Sequence, residues 1–361
     1  MNWKFFKELL AIDSTSGKER EVAEWLRRTL EAPCIDVQEV GDGTLNLFLK
    51  WGTPRVVFCT HMDTVPPYIP PEMRFFGTQV PQNDNTAQTD NTGICHSERS
   101  EESVITGRGS CDAKGQLFAM YTACKDLEAR GFTDFGLLLL SGEETGSWGA
   151  KAFARTDFRA PFLIVGEPTE NKMVSASKGT KSYDLTFHGE AFHSGYPQYG
   201  VSAVELFNEF YNQLKATDFG TDPLLGETSW NVGLLRSDNP QNILSPELGC
   251  RLYFRTTFVS DGPVQDWMAA LPGRMAVSVA ARGGDAPAQY VTLPGFESAP
   301  VAFGSDAPHL TGFGHKIICG PGTVRVAHRP DEHILVAELE KAVKQYIQMY
   351  KALTAPTDKT S

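Results

Sequence analysis

RVVFCTHMDTVPP, Arg55 to Pro67, is an apolar run that stops on His61, places Asp63 two residues later, and meets prolines at once. The run Val56–Thr60 reads as a strand of the fully buried kind, because no polar position interrupts it. Side chains two apart along an extended chain point the same way, so His61 and Asp63 share one side of the strand's end. Asp63 there can accept a hydrogen bond from whichever imidazole N–H is not engaged elsewhere. Taken alone, an HxD pair is more often a histidine satisfied in a polar loop.

The surrounding texture extends this strand into a sheet. Trp3–Ala11 and Glu19–Leu30 read as amphipathic helices separated by a turn with Ser14, Ser16 and Gly17. Short strands are expected at Ile35–Val40 and Leu45–Lys50, and a helix over AKGQLFAMYTACKDLEARG after Asp112. FGLLLLSGEE and FLIVGEPTE, Phe162 to Glu170, are further buried strands. Apolar strands alternating with helices predict an α/β layer with a mostly parallel sheet, and functional groups at the carboxyl ends of its strands. After about Lys172 the pattern alternates instead, in KSYDLTFHGE, SWNVGLLRS and LGCRLYFRTTF around the helical VSAVELFNEFYNQLK, which predicts an α+β segment with one solvated sheet face. The expected division is therefore 1–173 with 283–361 as one domain, and 174–282 as a smaller one. From Val291 the α/β texture returns and closes on the helix LVAELEKAVKQYIQMYKAL; the tail TAPTDKTS is expected to fray. Residues 77–103, rich in Asn, Thr, Ser and Glu, read as a surface insertion, because so few apolar groups cannot offset the entropy of ordering.

Bulk composition narrows the partners. The chain has 361 residues, 41% hydrophobic, with a net charge of −11, which argues against binding driven by nucleic-acid phosphates. Seven scattered cysteines, odd in number and never in a CxxC pair, argue for reduced thiols in a cytoplasmic setting and against a thiolate zinc site. The charged N-terminal stretch reads as neither signal peptide nor membrane span, and no segment approaches the ~20 apolar residues needed to cross a bilayer.

Other charged groups repeat the design of THMDT. Asp112 sits in the glycine-flanked GRGSCDAKG at the start of a helix, where an isolated aspartate would be an ordinary cap. Glu143 and Glu144 follow the very apolar LLLL, where charges are costly unless paired or bound to metal. Adjacent side chains diverge, so one carboxylate can ligate while the other faces substrate. Glu167 ends a strand in FLIVGEPT, and His328 follows a glycine-rich turn in CGPGTVRVAHRPDE. Imidazoles and carboxylates without thiolate suit zinc, cobalt or manganese, and two histidines with three carboxylates suffice for two ions if one carboxylate bridges. Two-metal sites commonly hold a hydroxide nucleophile between the ions, and a free glutamate beside a ligand makes a general base.

These segments, in this order, resemble the M20 family of metallohydrolases, which includes acetylornithine deacetylase, succinyl-diaminopimelate desuccinylase, aminoacylase, carboxypeptidase G2 and peptidase T-like enzymes. THMDTVP, ITGRGSCDAKGQ, LLSGEETGS, IVGEPT, GEAFHSGYPQYGVSAVE, NILSPELGCRLYFR, FGSDAP and GPGTVRVAHRPDE carry the likeness over nearly the whole chain outside 77–103. The resemblance implies a zinc-aminopeptidase-like catalytic domain interrupted by a lid that usually dimerises. It implies one divalent ion among His61, Asp112 and Glu167, and a second among Asp112, Glu144 and His328, with Asp112 bridging. Glu143 would be the acid/base and Asp63 the partner of His61, while His193, Asn242 and Arg255 of the smaller domain would meet substrate. An arginine fork suits a substrate carboxylate, although a strand arginine is equally a surface ion-pair former. His188, His309, His315 and His333 have no supporting pattern and are read as structural. Two departures stand out: no tryptophan-containing stretch lies between Asp63 and Asp112, and Cys111 precedes Asp112 where relatives often have a small residue. The implied reaction is amide hydrolysis of an N-acyl amino acid, or alternatively of a di- or tripeptide or a carboxy-terminal peptide bond. A catalytically silent metal- or peptide-binding module is the alternative of another class.

Overall fold

A computed structural model of the chain describes residues 1–41, 43–74 and 103–355. The expected insertion at 77–103, save Ser103, and the tail from residue 356 lie outside the described residues. Along the chain come α1 (Trp3–Leu10), α2 (Glu19–Thr29), β1 (Cys34–Gly41), β2 (Thr44–Gly52) and β3 (Val56–His61). They are followed by α3 (Lys114–Ala129), β4 (Asp134–Leu140), α4 (Trp148–Phe153) and β5 (Ala160–Val165). Next are β6 (Gly179–His188), α5 (Ala203–Ala216), β7 (Ser229–Arg236), β8 (Glu247–Thr256), α6 (Asp261–Ala269) and β9 (Val277–Gly283). The chain closes with β10 (Phe313–Ile318) and α7 (Val336–Thr354).

Two compact units result. The first comprises Met1–Met173, Val291–Glu297 and Ser305–Ser361. Its six-stranded sheet has the order β1-β2-β4-β3-β5-β10. The four strands β4, β3, β5 and β10 run parallel, whereas β2 joins β4 antiparallel and β1 pairs with β2 as a hairpin. The sheet is thus mostly parallel with an antiparallel margin. Every residue of β3 is buried, as is β4 from Phe135 onward, which explains why both read as unbroken apolar runs: helices cover both faces. Helix α3 is buried nearly all round, with Leu117, Phe118, Met120, Ala123 and Leu127 in the core. Phe118 stacks on Phe6 of α1 at 4.5 Å between ring centroids, and Phe58 of β3 meets Tyr346 of α7 edge-on at 5.9 Å.

The second unit is Val174–Tyr290 with Ser298–Gly304. It extends past the boundary at 282 suggested by sequence texture, because Ala288–Gln289 pairs with Ser177 and Ala176 after β9 has ended. Its antiparallel sheet has the order β7-β8-β6-β9. One face carries Leu185, Phe187, Leu252 and Phe254 against Phe210 and Leu214 of α5 and Val264 and Met268 of α6. The opposite face carries Asp184, bridged by Arg251 (2.7 and 3.2 Å) and Arg282 (2.9 Å). This is the one-sided burial that period-two alternation encodes.

Among the described residues no helix is long and apolar enough to cross a membrane, and all six cysteines are free. Phe58 sits at the middle of the central strand, fully buried, so Phe58→Ala is expected to cost about 3–5 kcal/mol. A urea titration reads this as a lowered midpoint; an unchanged midpoint would remove β3 from the core.

Candidate metal centre

The first unit places its chemistry where parallel strands end. His61 is the last residue of β3, Glu143 and Glu144 lie three and four residues beyond Leu140 of β4, and Glu167 two beyond Val165 of β5. The Glu143–Glu144 turn is closed by backbone bonds from Gly146 and Ser147 to the Glu143 carbonyl and from Gly149 to the Ser141 carbonyl. Gly142 takes φ +73° there, a conformation that side-chain-bearing residues rarely adopt. The Ser14–Ser16 segment, expected only as a turn, grips the other side. Ser14 Oγ donates to the Met62 carbonyl (2.8 Å), and the Ser16 and Thr64 amides donate to the Thr64 and Ser14 carbonyls.

Asp112 stands at the centre. It does not cap α3, whose N-cap is Ala113 and has no side-chain bond. Its Oδ1 lies 3.1 Å from His61 Nε2 and its Oδ2 3.3 Å from His328 Nε2. His328 Nε2 is also 3.0 Å from Glu144 Oε1. His61, Asp112 and Glu144 offer ligand atoms that all lie within 4.8 Å of one another. His328 holds φ +64°, a left-handed conformation costing a residue with a Cβ ~1–2 kcal/mol, and this backbone presents its ring to the two carboxylates.

Asp63 holds the site differently from the expected pairing. The nearest acceptor to His61 Nδ1 is the Asp63 backbone carbonyl at 2.9 Å, and the Asp63 carboxylate lies 3.5 Å away. That carboxylate accepts the amide N–H of Glu143 on Oδ1 and of Glu144 on Oδ2, each at 3.1 Å, and the Ser16 hydroxyl at 3.1 Å. Asp63 therefore ties the end of β3 to the turn after β4. The same contacts fix the His61 tautomer, leaving Nε2 to face Asp112.

The electrostatics follow from how closely the acids and imidazoles are packed. Burial would lower the His61 imidazole, but the Asp112 and Asp63 carboxylates overcome it and raise it well above its usual range. His328 is pushed up to about 10 by Asp112 and Glu144. Asp112 is held far below the carboxylate range, since the two imidazoles outweigh its burial. Burial, with neighbouring carboxylates, drives Glu143 and Glu167 well above theirs. Glu167 is buried and feels Glu143, His61 and Asp112, but stands outside the group of three that share one 4.8 Å neighbourhood.

Acidic groups thus crowd a space with two imidazoles, and raise the proton affinity of both. Nitrogen and oxygen donors with a carboxylate facing two imidazoles fit a divalent cation.

Two buried acids given no role in the sequence analysis complete the surroundings. Asp306 is pushed up to about 6 by burial, opposed by His61 and by a hydrogen bond from Ser147, and its Oδ1 has no partner. Glu332 gathers amides around Asp112. Neither repeats a spacing, so periodicity gave no means of finding them; the cue was their place within FGSDAP and GPGTVRVAHRPDE, two of the stretches that carry the family resemblance.

The remaining expected residues belong to the second unit. His193 is exposed on a loop, where it forms a β-bridge with Ile243 and the Ser194 amide donates to the Asn242 carbonyl (2.9 Å). His193 and Asn242 are therefore neighbours in one surface feature. Arg255 lies on β8, on the face opposite the core, with its guanidinium 5.0 Å from the Tyr253 ring and no ion pair among the described residues. Of the histidines read as structural, His188 bonds Ser278 Oγ (2.7 Å), His333 the Asp331 carbonyl (2.8 Å), and His315 stacks on Phe162.

Comparison with known proteins agrees with this architecture. The family model described as peptidase family M20/M25/M40 matches residues 57–352. A peptidase M20 domain-containing protein of Schizosaccharomyces pombe is 30% identical over 360 residues, 95% of this chain and 82% of its own length. A "probable carboxypeptidase" of Aspergillus flavus is 29% identical over 393 residues, 96% of this chain and 86% of its own. Among solved structures, a tripeptidase from Staphylococcus aureus superposes with TM-score 0.75 at 17% identity, covering 97% of each chain. An M20 family metallo-carboxypeptidase from Sulfolobus solfataricus gives 0.67 at 16%, covering 97% of this chain and 98% of its own.

The raised groups fix a pH dependence. A histidine or glutamate whose folded pKa is raised contributes stability that is complete below its unfolded value and lost as pH rises toward the folded one. For His328 that window runs from 6.5 to about 10; for Glu143 and Glu167 it opens at 4.5. Chelated protein is therefore expected to lose stability as pH rises, whereas cations replacing those protons bind more tightly. Thermal unfolding of chelated and zinc-loaded protein should show a gap that widens from pH 6 to pH 9; a constant or narrowing gap refutes the assignment.

Proposed function

The chain belongs to peptidase family M20/M25/M40, a family of metal-dependent hydrolases, and from that premise we propose that it is a carboxypeptidase-type amidohydrolase holding two divalent cations. Its substrates would be short peptides or N-acylated amino acids whose departing amine belongs to an amino acid with a free carboxylate. The observation that carries the reading is the seating of Asp112, one oxygen toward each imidazole, with Glu143 alongside.

In this reading His61, Asp112 and Glu167 hold one cation, and Asp112, Glu144 and His328 the other. Zinc suits these donors best, and cobalt or manganese can take the same places. When bound, the cations supply Lewis acidity, acidifying a water and drawing negative charge from the carbonyl oxygen. Glu143 takes the proton from the attacking water and returns it to the departing nitrogen. Burial, and after it neighbouring carboxylates, raise its affinity for a proton, the direction a proton-carrying glutamate needs. Asp63 serves by holding the amides of Glu143 and Glu144, so that one side chain ligates while the other stays free. On the family resemblance alone, His193 and Asn242 would serve carbonyl recognition, and Arg255 would take the substrate carboxylate by its bidentate fork.

Sequence motifs put N-acyl amino acids first. The 29% relatives named as carboxypeptidases support peptides at least as strongly, and the two substrate classes share the departing amino acid. Assembly as a homodimer through the second unit and a cytoplasmic setting complete the proposal; the first rests on the family resemblance, the second on the free cysteines.

Two measurements test this. Glu143→Ala should lower kcat by about 10²–10⁴-fold or more while zinc content stays at the wild-type level; near-normal turnover removes Glu143 from the chemistry. A panel of acetyl- and succinyl-amino acids, N-blocked dipeptides, and free di- and tripeptides, each paired with its carboxamide, then sorts substrates. Turnover is expected only with a free terminal carboxylate. Cleavage of carboxamides bearing a free amino terminus would make the enzyme an aminopeptidase instead.

A further inference from the structure

Resting on the metal pair proposed above, the geometry assigns Glu332 as the positioning residue that holds Asp112 between the two imidazoles. Glu332 is fully buried, four residues beyond His328. Its Oε1 accepts three backbone amides, from Gly109 (2.9 Å), Cys111 (3.1 Å) and Asp112 (3.1 Å). Its Oε2 accepts Nη1 of the buried Arg108 at 2.5 Å. Arg108 Nε donates in turn to the Pro67 carbonyl, and the Gly107 amide donates to the Glu332 carbonyl.

Converging amides around one oxygen make a concave anion site, and here the anion is part of the chain. With both oxygens engaged, Glu332 has little capacity left to ligate a cation itself. The peptide N–H of Asp112 points to Glu332, and its carboxylate faces His61 and His328. One side chain thereby clamps the turn that ends in the bridging residue to the segment that carries His328. The antiparallel pairing of His333–Leu335 with Val104–Thr106 zips the same two segments together beside it. The arrangement is also costly: Glu332 and Asp112 are like charges in a buried region, and Arg108 alone is shown compensating the former through an ion pair. A carboxylate serving only to bury Arg108 would have no need of three amides leading into Asp112.

Glu332→Gln keeps the shape but forces an NH₂ against either Arg108 or the amides. Titration of the metal-free protein with cobalt(II), followed by visible absorption, is expected to show about 10- to 100-fold weaker binding and an altered spectrum. In the loaded enzyme kcat should fall with KM little changed. Leu127→Ala, a core truncation in α3, controls for mere destabilisation and should leave cobalt affinity and spectrum intact. Where Glu332→Gln does not fold, Glu332→Asp, which keeps the charge but draws it back by one methylene, should show the same loss. Wild-type affinity and spectrum in the folded Glu332 variant overturn the inference and leave the metal assignment standing. Failure of the wild-type protein to take up cobalt overturns both.

Discussion

A buried carboxylate keeps its charge only while positive partners face it, and the divided allegiance of Asp112 is the constraint on which the candidate centre depends. Each of its oxygens meets a different imidazole, from the end of β3 on one side and from the loop after β10 on the other. Around it Asp63, Glu143, Glu144, Glu167 and Asp306 crowd further carboxyl groups about the two histidines. Burial first, and neighbouring carboxylates after it, raise Glu143 and Glu167, whereas hydrogen bonds and the facing imidazoles hold Asp112 and Asp63 low. The pattern separates carboxylates whose hydrogen bonds stabilise the anion from those that burial leaves waiting for a positive ligand.

The sheet makes this concentration of charge tolerable. Three parallel neighbours, β4, β3 and β5, end side by side, so residues far apart in sequence emerge at one edge without any long loop being ordered for the purpose. The apolar strands beneath provide the rigid base, and the backbone of each turn is tied to the next by side-chain acceptors. Asp63 holds the amides after β4, and Glu332 holds those before α3. Positions of the chemically active groups are therefore set by acids that need not touch substrate.

His61, Asp112, Glu144 and His328 were legible because each interrupts an apolar or glycine-rich setting with a group that burial penalises. The strands were legible for the related reason that full burial on both faces erases alternation in β3 and β4. What escaped was decided by tertiary contact. The sense of β1 and β2 depends on hairpin pairing and on which strand β2 finds, and neither leaves a mark in its hydrophobicity. Asp63 was expected to serve His61 through its carboxylate, because strand alternation puts the two on one side. The Asp63 carbonyl comes nearest to Nδ1, while the carboxylate, 3.5 Å away, still acts on the imidazole and also accepts the amides of Glu143 and Glu144. The domain boundary escaped for a similar reason, since a short pairing with residues 176–177 extends the second unit beyond the last alternating strand.

Glu332 and Asp306 sharpen the lesson, because they are equally buried and equally acidic yet opposite in circumstance. Glu332 is saturated by three amides and a guanidinium, so its charge is spent locally on holding backbone. Asp306 has one oxygen without a hydrogen-bond partner among the described residues and shares its surroundings with Glu143, Glu167 and His61. No residue type or spacing distinguishes the two in the sequence; only the number of donors reaching each oxygen does. Donor count is therefore the physical quantity that divides this cluster: acids that are filled act as framework, and acids left short of donors define where added positive charge is stabilised.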